Sequence, residues 1–373
     1  MHILVPTGIF HPEPGGPATY LYRFLPELQA RGHTVEVITF GEGQPDIYPY
    51  PVTRIPRTTI VERNWRYYRA VKEKLPHADV VFINSLGIPL PYIKQPTVLK
   101  VVGDRAWERA VNRGWVPPTE DIDHFQTARY GPRVNFVKRS RSNEARRADY
   151  VIVPSHYLRQ MVIGWGVPAE RVKTIYNAVE PNELLPDPVS RQSLNLPDTP
   201  LLLTPARLTA WKGVDVTLRA IASLSDVMLV VAGDGPMFNF LQRQVAELEL
   251  SERVRFLGKI SHSELVKYYQ VADYTLLYSG YEGLSHVILE SLNTGTPVIA
   301  SDKCGNPEIV QDGYNGFLAP YPEVEALRAT ILRAFEGDTP QRLRQNPLLD
   351  VQKFAWSRMV EETIATLEQQ FSR

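Results

Sequence analysis

Cys304 is the one cysteine in 373 residues. A disulfide framework and a cysteine-ligated zinc site are therefore excluded, and a reducing, cytoplasmic compartment is expected. Net charge is missing too: 41 Lys and Arg face 41 Asp and Glu. Overall charge thus gives no case for a nucleic-acid binder, and any charge cluster must be argued locally. No run of eighteen apolar residues occurs, so no membrane-spanning helix is expected. Met1-His-Ile-Leu-Val-Pro6 lacks the basic and long apolar regions of a signal peptide and reads as a buried strand. There is no closely spaced histidine pair of the zinc kind, and no metal or separate cofactor is expected. The three spaced glycines that a dehydrogenase needs after its first strand are absent as well.

What is present is a repeated pattern of apolar strand, glycine-containing loop and helix. Its centre is Tyr278-Ser-Gly-Tyr-Glu-Gly-Leu-Ser-His-Val-Ile-Leu-Glu290. A strand over 274–278 runs into a turn in which Gly280 and Gly283 bracket Glu282. A helix is expected from near Leu284 to Thr294, stopped by Gly295. Glu290 follows Glu282 by about two helical turns, at ~1.5 Å rise per residue, on an otherwise apolar helix. A carboxylate there needs a partner, and a ribose diol is a fitting one. Amides at the helix start favour an anion. The alternative is an ordinary strand–helix unit with a solvated glutamate. His286 reads as a satisfied helix histidine and Cys304 as structural.

The first half gives strands at 2–6, 35–40, 78–84, 97–102, 149–154 and 172–176. Helices are expected over 18–29, over 64–75 with Trp65, Tyr68 and Val71 on its apolar side, and from about 156 to 165. Residues 41–60 read as irregular. The Gly15-Gly16 pair permits close approach to a ligand, or is a plain turn. Asp104 follows a strand end beside Gly103, where active-site carboxylates often sit; its other role would be to cap the next helix. Residues 133–147 carry six Lys or Arg against Glu144, with Phe136 and Val137 beside them. The run suits an anionic membrane surface or acceptor, or is a solvated face.

Five prolines between 180 and 200 mark a linker. Beyond it, strands at 201–204, 227–232, 254–257, 274–278 and 298–300 alternate with helices, giving a second parallel sheet covered on both faces. Arg207 and Lys212 share the loop after its first strand. Two cations beside a helix N-terminus suit a diphosphate and would stabilise a departing nucleoside diphosphate.

These marks resemble the large family of retaining nucleotide-sugar glycosyltransferases numbered four, with the two-domain GT-B fold. The resemblance rests on Glu282-x7-Glu290, Arg207-x4-Lys212-Gly213, Gly233-Asp-Gly-Pro236, Gly305-Asn-Pro-Glu308, the Gly15-Gly16 loop, Ser155 and Tyr176-Asn177. It implies an α/β protein of two Rossmann-like, doubly wound parallel-sheet domains facing a central cleft. Residues 1–180, joined by a C-terminal helix at about 354–373, would bind the acceptor, and 181–353 the donor. It further implies that Arg207 and Lys212 hold the donor diphosphate, Glu290 the ribose, and Glu282 the transferred sugar. Gly283, Leu284 and Ser285 would lie near phosphate, Gly233 in a donor-side loop, and Lys259 and Ile260 around the base. Gly15 and Gly16 would approach donor and acceptor from the first domain.

The catalytic set expected from the resemblance is Glu282, Arg207, Lys212 and Asp104. Many relatives carry His-Asp where this chain has Gly103-Asp104, which leaves acceptor handling open. The implied activity is retaining transfer of a hexose, without metal, from a UDP-sugar or GDP-mannose to a saccharide or lipid-linked hydroxyl. Residues 133–147 would touch the inner face of the cell membrane. The alternatives are a nucleotide-sugar epimerase of this fold, which would release sugar-nucleotide isomers without acceptor, and a non-catalytic binding protein.

Overall fold

The computed structural model describes residues 1–13, 15–42, 48–179, 188–346 and 349–372. The chain divides into two compact units. Unit one is Met1–Val116, Asp123–Tyr176 and Ser357–Arg373; unit two is Pro117–Ile122 and Asn177–Trp356. The division falls between 176 and 177; the 180/181 boundary read from the prolines lies outside the described residues.

Unit one holds strands β1 (His2–Pro6), β2 (Thr34–Phe40), β3 (Val52–Ile55), β4 (Val80–Ile83), β5 (Thr97–Lys100), β6 (Tyr150–Val153) and β7 (Val172–Thr174). They form one parallel sheet in the order β3-β2-β1-β4-β5-β6-β7. Its helices are α1 (Gly16–Ala30), α2 (Ile60–Lys74), α3 (Arg105–Asn112), α4 (Ile122–Thr127, whose first residue counts with unit two), α5 (Pro132–Arg147) and α6 (His156–Gly164). β3 appears where an irregular connection is expected. It is an edge strand between Pro51 and Pro56 with only Ile55 buried, so it carries almost no apolar signal.

Helix α2 also differs from expectation. Thr59 caps it, its Oγ1 accepting from the Glu62 amide, so it starts four residues earlier than 64. Tyr67 and Val71 face the core, while Trp65 and Tyr68 are exposed. The Tyr67 hydroxyl lies 3.0 Å from both the Thr7 and Ile38 carbonyl oxygens. That polar anchorage turns the helix about a quarter of a turn from the face that apolarity alone suggests.

Unit two holds β8 (Leu201–Pro205), β9 (Met228–Ala232), β10 (Val254–Gly258), β11 (Tyr274–Leu277), β12 (Val298–Ser301) and β13 (Gly316–Ala319). They form a second parallel sheet, ordered β10-β9-β8-β11-β12-β13. Helices α7 (Val214–Ala222), α8 (Phe238–Glu247), α9 (His262–Val271), α10 (His286–Asn293), α11 (Val324–Ala334) and α12 (Thr339–Arg344) cover it. Every residue of β8 and β9 is buried. Covered on both faces, these strands read as unbroken apolar runs rather than alternating ones.

The last helix, α13 (Trp356–Phe371), begins two residues after the expected start and belongs to unit one from Ser357 onward. Lys173 Nζ lies 3.4 Å from Thr366 Oγ1, and Glu368 3.3 Å from His33. Two GT-B-type sheets are thus present, each a doubly wound, Rossmann-like unit.

Candidate active site

The second sheet reverses direction between β8 and β11: the chain builds outward through β9 and β10, then jumps to the other side of β8. Loops leaving adjacent strands at such a point splay apart and open a crevice at the carboxyl edge. The loop after β8 carries Arg207 and Lys212; the loop after β11 carries Glu282. They are joined twice. Gly280 N donates to Trp211 O at 2.8 Å, and Lys212 Nζ meets Glu282 Oε1 at 2.5 Å. Both side chains are mostly buried, at 19% and 13% exposure, so this contact is screened less than a surface pair.

Two glycines let these loops close. Gly213 has φ +62°, and a Cβ there would stand 2.0 Å from the Tyr278 carbonyl oxygen. A Cβ on Gly305, in the loop after β12, would stand 2.3 Å from the Gly283 carbonyl oxygen; Gly305 N already donates to Glu282 O at 3.2 Å. Backbone occupies both places, so no side-chain adjustment makes room. Gly233 stands in the loop after β9, where Leu208 N donates to Asp234 O at 3.0 Å. The loops after β8, β9, β11 and β12 are therefore stitched to one another by main-chain bonds.

Helix α10 starts at His286, two residues later than expected. Ser285 is its N-cap, with Oγ accepting from Ile288 N at 3.3 Å. Leu284 is held outside the helix because its carbonyl accepts from Asn177 Nδ2 at 3.1 Å. Gly283, Leu284 and Ser285 thus precede the helix, in the loop after β11 at the carboxyl edge of the sheet. Glu290 lies further along α10, with the Tyr269 hydroxyl 3.4 Å and His262 Nε2 3.6 Å from its Oε2. Burial, then the neighbouring carboxylate, pushes the Tyr269 phenol well up. Lys259 and Ile260 follow β10 and are tied to the Gly233 loop through Gly233 N to Gly258 O at 2.8 Å.

Arg207 differs from Lys212: it is exposed and makes no ion pair among the described residues.

Asp104 is not placed for substrate contact. It is wholly buried and caps α3 through bonds to Ala106 N (2.9 Å) and Trp107 N (3.2 Å). Its other oxygen takes Gln126 Nε2 at 2.9 Å and a short ion pair from Arg141, itself 6% exposed and stacked on Trp165. With both oxygens engaged, the carboxylate is part of the fold.

The same pairing breaks up the basic run at 133–147. Arg141 turns inward, and Lys138 Nζ bonds the Phe125 and Ala128 carbonyls at 2.6 and 2.8 Å. The run is not one solvated stripe. Gly15 is the N-cap position of α1, which starts at Gly16; both stand in unit one after β1. An Asp-x-Asp spacing occurs at Asp121-Ile-Asp123. Asp121 meets Lys303 at 3.2 Å and Asp123 accepts from the Tyr157 hydroxyl at 2.7 Å. Among the described residues no group of three or more His, Cys, Asp or Glu side chains is arranged to hold a metal.

Residues 14–183 match the family model described as Glycosyltransferase Family 4, and residues 187–347 that described as Glycosyl transferases group 1. A curated relative, the alpha-monoglucosyldiacylglycerol synthase of Streptococcus pneumoniae, is 28% identical over 82% of this chain and 72% of its own length. The GDP-mannose-dependent alpha-(1-6)-phosphatidylinositol monomannoside mannosyltransferase of Mycolicibacterium smegmatis is 30% identical over 49% of this chain and 52% of its own. The uncharacterized glycosyltransferase MJ1607 of Methanocaldococcus jannaschii is 28% identical over 57% and 58%. The chain thus spans from about half to under three quarters of these relatives' lengths. Among solved structures, sucrose-phosphate synthase from Thermosynechococcus elongatus superposes with TM-score 0.82 at 22% identity, covering 100% of this chain and 99% of the other. Anabaena Alr3699/HepE in complex with UDP-glucose does so with TM-score 0.76 at 22% identity, covering 99% and 100%. At that identity the likeness speaks for the fold.

Proposed function

We propose that this chain, a GT-B-fold member of the glycosyltransferase superfamily those two models describe, is an enzyme that moves a hexose from a nucleoside-diphosphate sugar to an acceptor hydroxyl. The observation that carries the reading is the joining of Lys212 and Glu282 at the β8/β11 reversal, beneath the N-terminus of α10. A cation, a carboxylate and a helix N-terminus side by side suit a sugar diphosphate: anion at one end, polyol at the other. UDP-sugars and GDP-mannose are the donors that this reading and the relatives' names favour.

In the proposed reaction Arg207 and Lys212 neutralise charge gathering on the leaving diphosphate, and the amides of 283–285 add fixed dipoles. Glu290 holds the ribose and Glu282 the transferred sugar. The acceptor hydroxyl forms a bond to the anomeric carbon as the bond from that carbon to the phosphate oxygen breaks. In a same-face displacement the departing phosphate oxygen takes the hydroxyl proton, so no side-chain base is needed and the configuration is retained. That scheme accommodates the engagement of Asp104 in the fold.

If the acceptor is lipid-linked, membrane contact would rest on exposed Phe136 with Arg139 and Arg147, and flotation with anionic vesicles tests it. The function itself is tested by a thermal-shift screen against UDP, GDP and ADP. Hydrolysis and transfer assays with sugars on the stabilising nucleotide follow. The expected result is stabilisation by one nucleotide and a product of unchanged anomeric configuration; an inverted product overturns the same-face scheme. Absence of binding to every nucleoside diphosphate overturns the enzyme reading.

A further inference from the structure

Unit one has its own reversal point, between β1 and β4. A cavity of about 930 Å³ opens there, lined by the loops after β1, β4 and β5 and by α3. Its size suits a small ligand. Six of its lining side chains are cationic, Arg57, Arg63, Lys100, Arg105, Arg109 and Arg113, against the carboxylates of Glu108 and Glu144.

Arg57 is answered by Glu13 at 2.5 Å; three observations show that much of the remaining charge lacks a partner within the fold. First, Lys100 is 3% exposed, and its ammonium has no hydrogen-bond acceptor. It sits 3.8 Å from the centre of the Tyr20 ring, a weak substitute for water. Burial alone lowers its pKa to about 7. Second, Arg105, Arg109 and Arg113 recur every four residues on α3 and its C-cap, hence on one face. Like charges at that spacing repel, and none of the three makes an ion pair among the described residues. Third, Glu144 is already engaged, accepting from Gly87 N at 2.5 Å and Ser140 Oγ at 3.1 Å. Asn84, 2% exposed, also brings a buried carbonyl oxygen with no partner to the same lining, suited to a hydroxyl.

We propose that the unit-one cavity receives an acceptor bearing a phosphate group, held by Arg105, Arg109 and Arg113 with Lys100 behind them, and its hydroxyls by Asn84. The assignment rests on the reading of the chain as a sugar transferase and names its acceptor class. Several guanidinium forks match a phosphate's spread of oxygens and double charge better than they match one carboxylate. An anion there relieves both the arginine repulsion and the stranded ammonium.

The test is titration of the full chain with glucose and glucose 6-phosphate, inositol and inositol phosphate, glucuronate and inorganic phosphate. Vesicles of phosphatidic acid and of phosphatidylcholine form a parallel arm. Phosphorylated probes should bind at least about tenfold more tightly than their neutral partners. Arg109→Ala/Arg113→Ala, on the exposed side of α3, should abolish that preference while UDP or GDP affinity stays unchanged. A preference confined to phosphatidic acid vesicles assigns the phosphate to a lipid; one confined to soluble probes assigns it to a free ester. Neutral probes binding as well as phosphorylated ones, no preference in either arm, or a preference that survives the double substitution overturns the proposal. Loss of nucleotide binding in the unsubstituted chain is a separate failure, that of the transferase reading.

Discussion

Lys212 and Glu282, 70 positions apart in the chain, meet at 2.5 Å, each from the loop that follows one of the two strands flanking the sheet reversal. In the proposed reaction the pair sets a cation for the diphosphate beside a carboxylate for the sugar, before either arrives. Such preorganisation is what electrostatic catalysis requires.

Removing either partner should therefore cost turnover more than folding. Lys212→Ala and Glu282→Ala are each expected to lower kcat by about 10²–10³. The double variant should fall well short of the product of the two losses, because the residues act as a unit. Transfer kinetics of the two single variants and the double one measure this; simple multiplication of the losses would show that the contact plays no part in catalysis.

Gly213→Ala and Gly305→Ala place a methyl group against the backbone oxygens of Tyr278 and Gly283. Each should lower stability by about 1–3 kcal/mol and weaken nucleotide binding, since the loops must part. Gly337→Ala is the control for Gly213: its φ of +59° is strained like the +62° of Gly213, but nothing stands within 4 Å, whereas Gly305, at φ −82°, meets the clash without that strain. Melting temperature and nucleotide affinity, read together, separate loop displacement from strain alone.

Asp104→Asn should behave as a folding variant. It leaves Arg141 buried without its counter-charge, a loss of about 3–5 kcal/mol. Nucleotide affinity of the folded protein should not change. Calorimetry and nucleotide titration decide this: normal stability with loss of transfer would return Asp104 to the reacting groups.

Lys100 predicts a pH dependence of stability. Its ammonium deprotonates near pH 7 in the folded chain, because burial penalises the charge, against a reference value of 10.5. Between those values the unfolded chain binds more protons, so this residue's contribution to stability rises with pH across the window and levels off below about 7. Lys100→Met lacks the slope. The variant's advantage should be greatest at and below pH 7 and shrink toward pH 10. Denaturant titrations at pH 6, 7, 8, 9 and 10 would show parallel curves if the ammonium were solvated.

Glu290→Gln keeps the shape of the side chain near Tyr269 and removes its charge. Nucleotide affinity should drop by about tenfold, the worth of a charged hydrogen bond to a diol. A deoxyribose analogue should be affected far less. Equal losses for both nucleotides would remove Glu290 from the ribose.

The sequence alone determined the two parallel sheets, because strands covered on both faces become apolar runs and the loops that follow them must carry glycine and charge. It also placed Arg207, Lys212 and Glu282 in those loops and Glu290 on the helix that follows the last of them, where local spacing is enough to be read. Tertiary structure alone decided which of the charges are answered. Asp104 looked available because its partners, Gln126 and Arg141, come from α4 and α5 and lie far along the chain. Lys100 closes an apolar strand, and nothing in that run reveals that its ammonium is stranded beneath Tyr20. α2 presents Tyr67 rather than Trp65 and Tyr68 because one hydroxyl finds two carbonyls in a neighbouring loop and strand. Propensity and periodicity are local and survive in the chain's order, whereas desolvation and pairing depend on what packs alongside, and that exists only after folding.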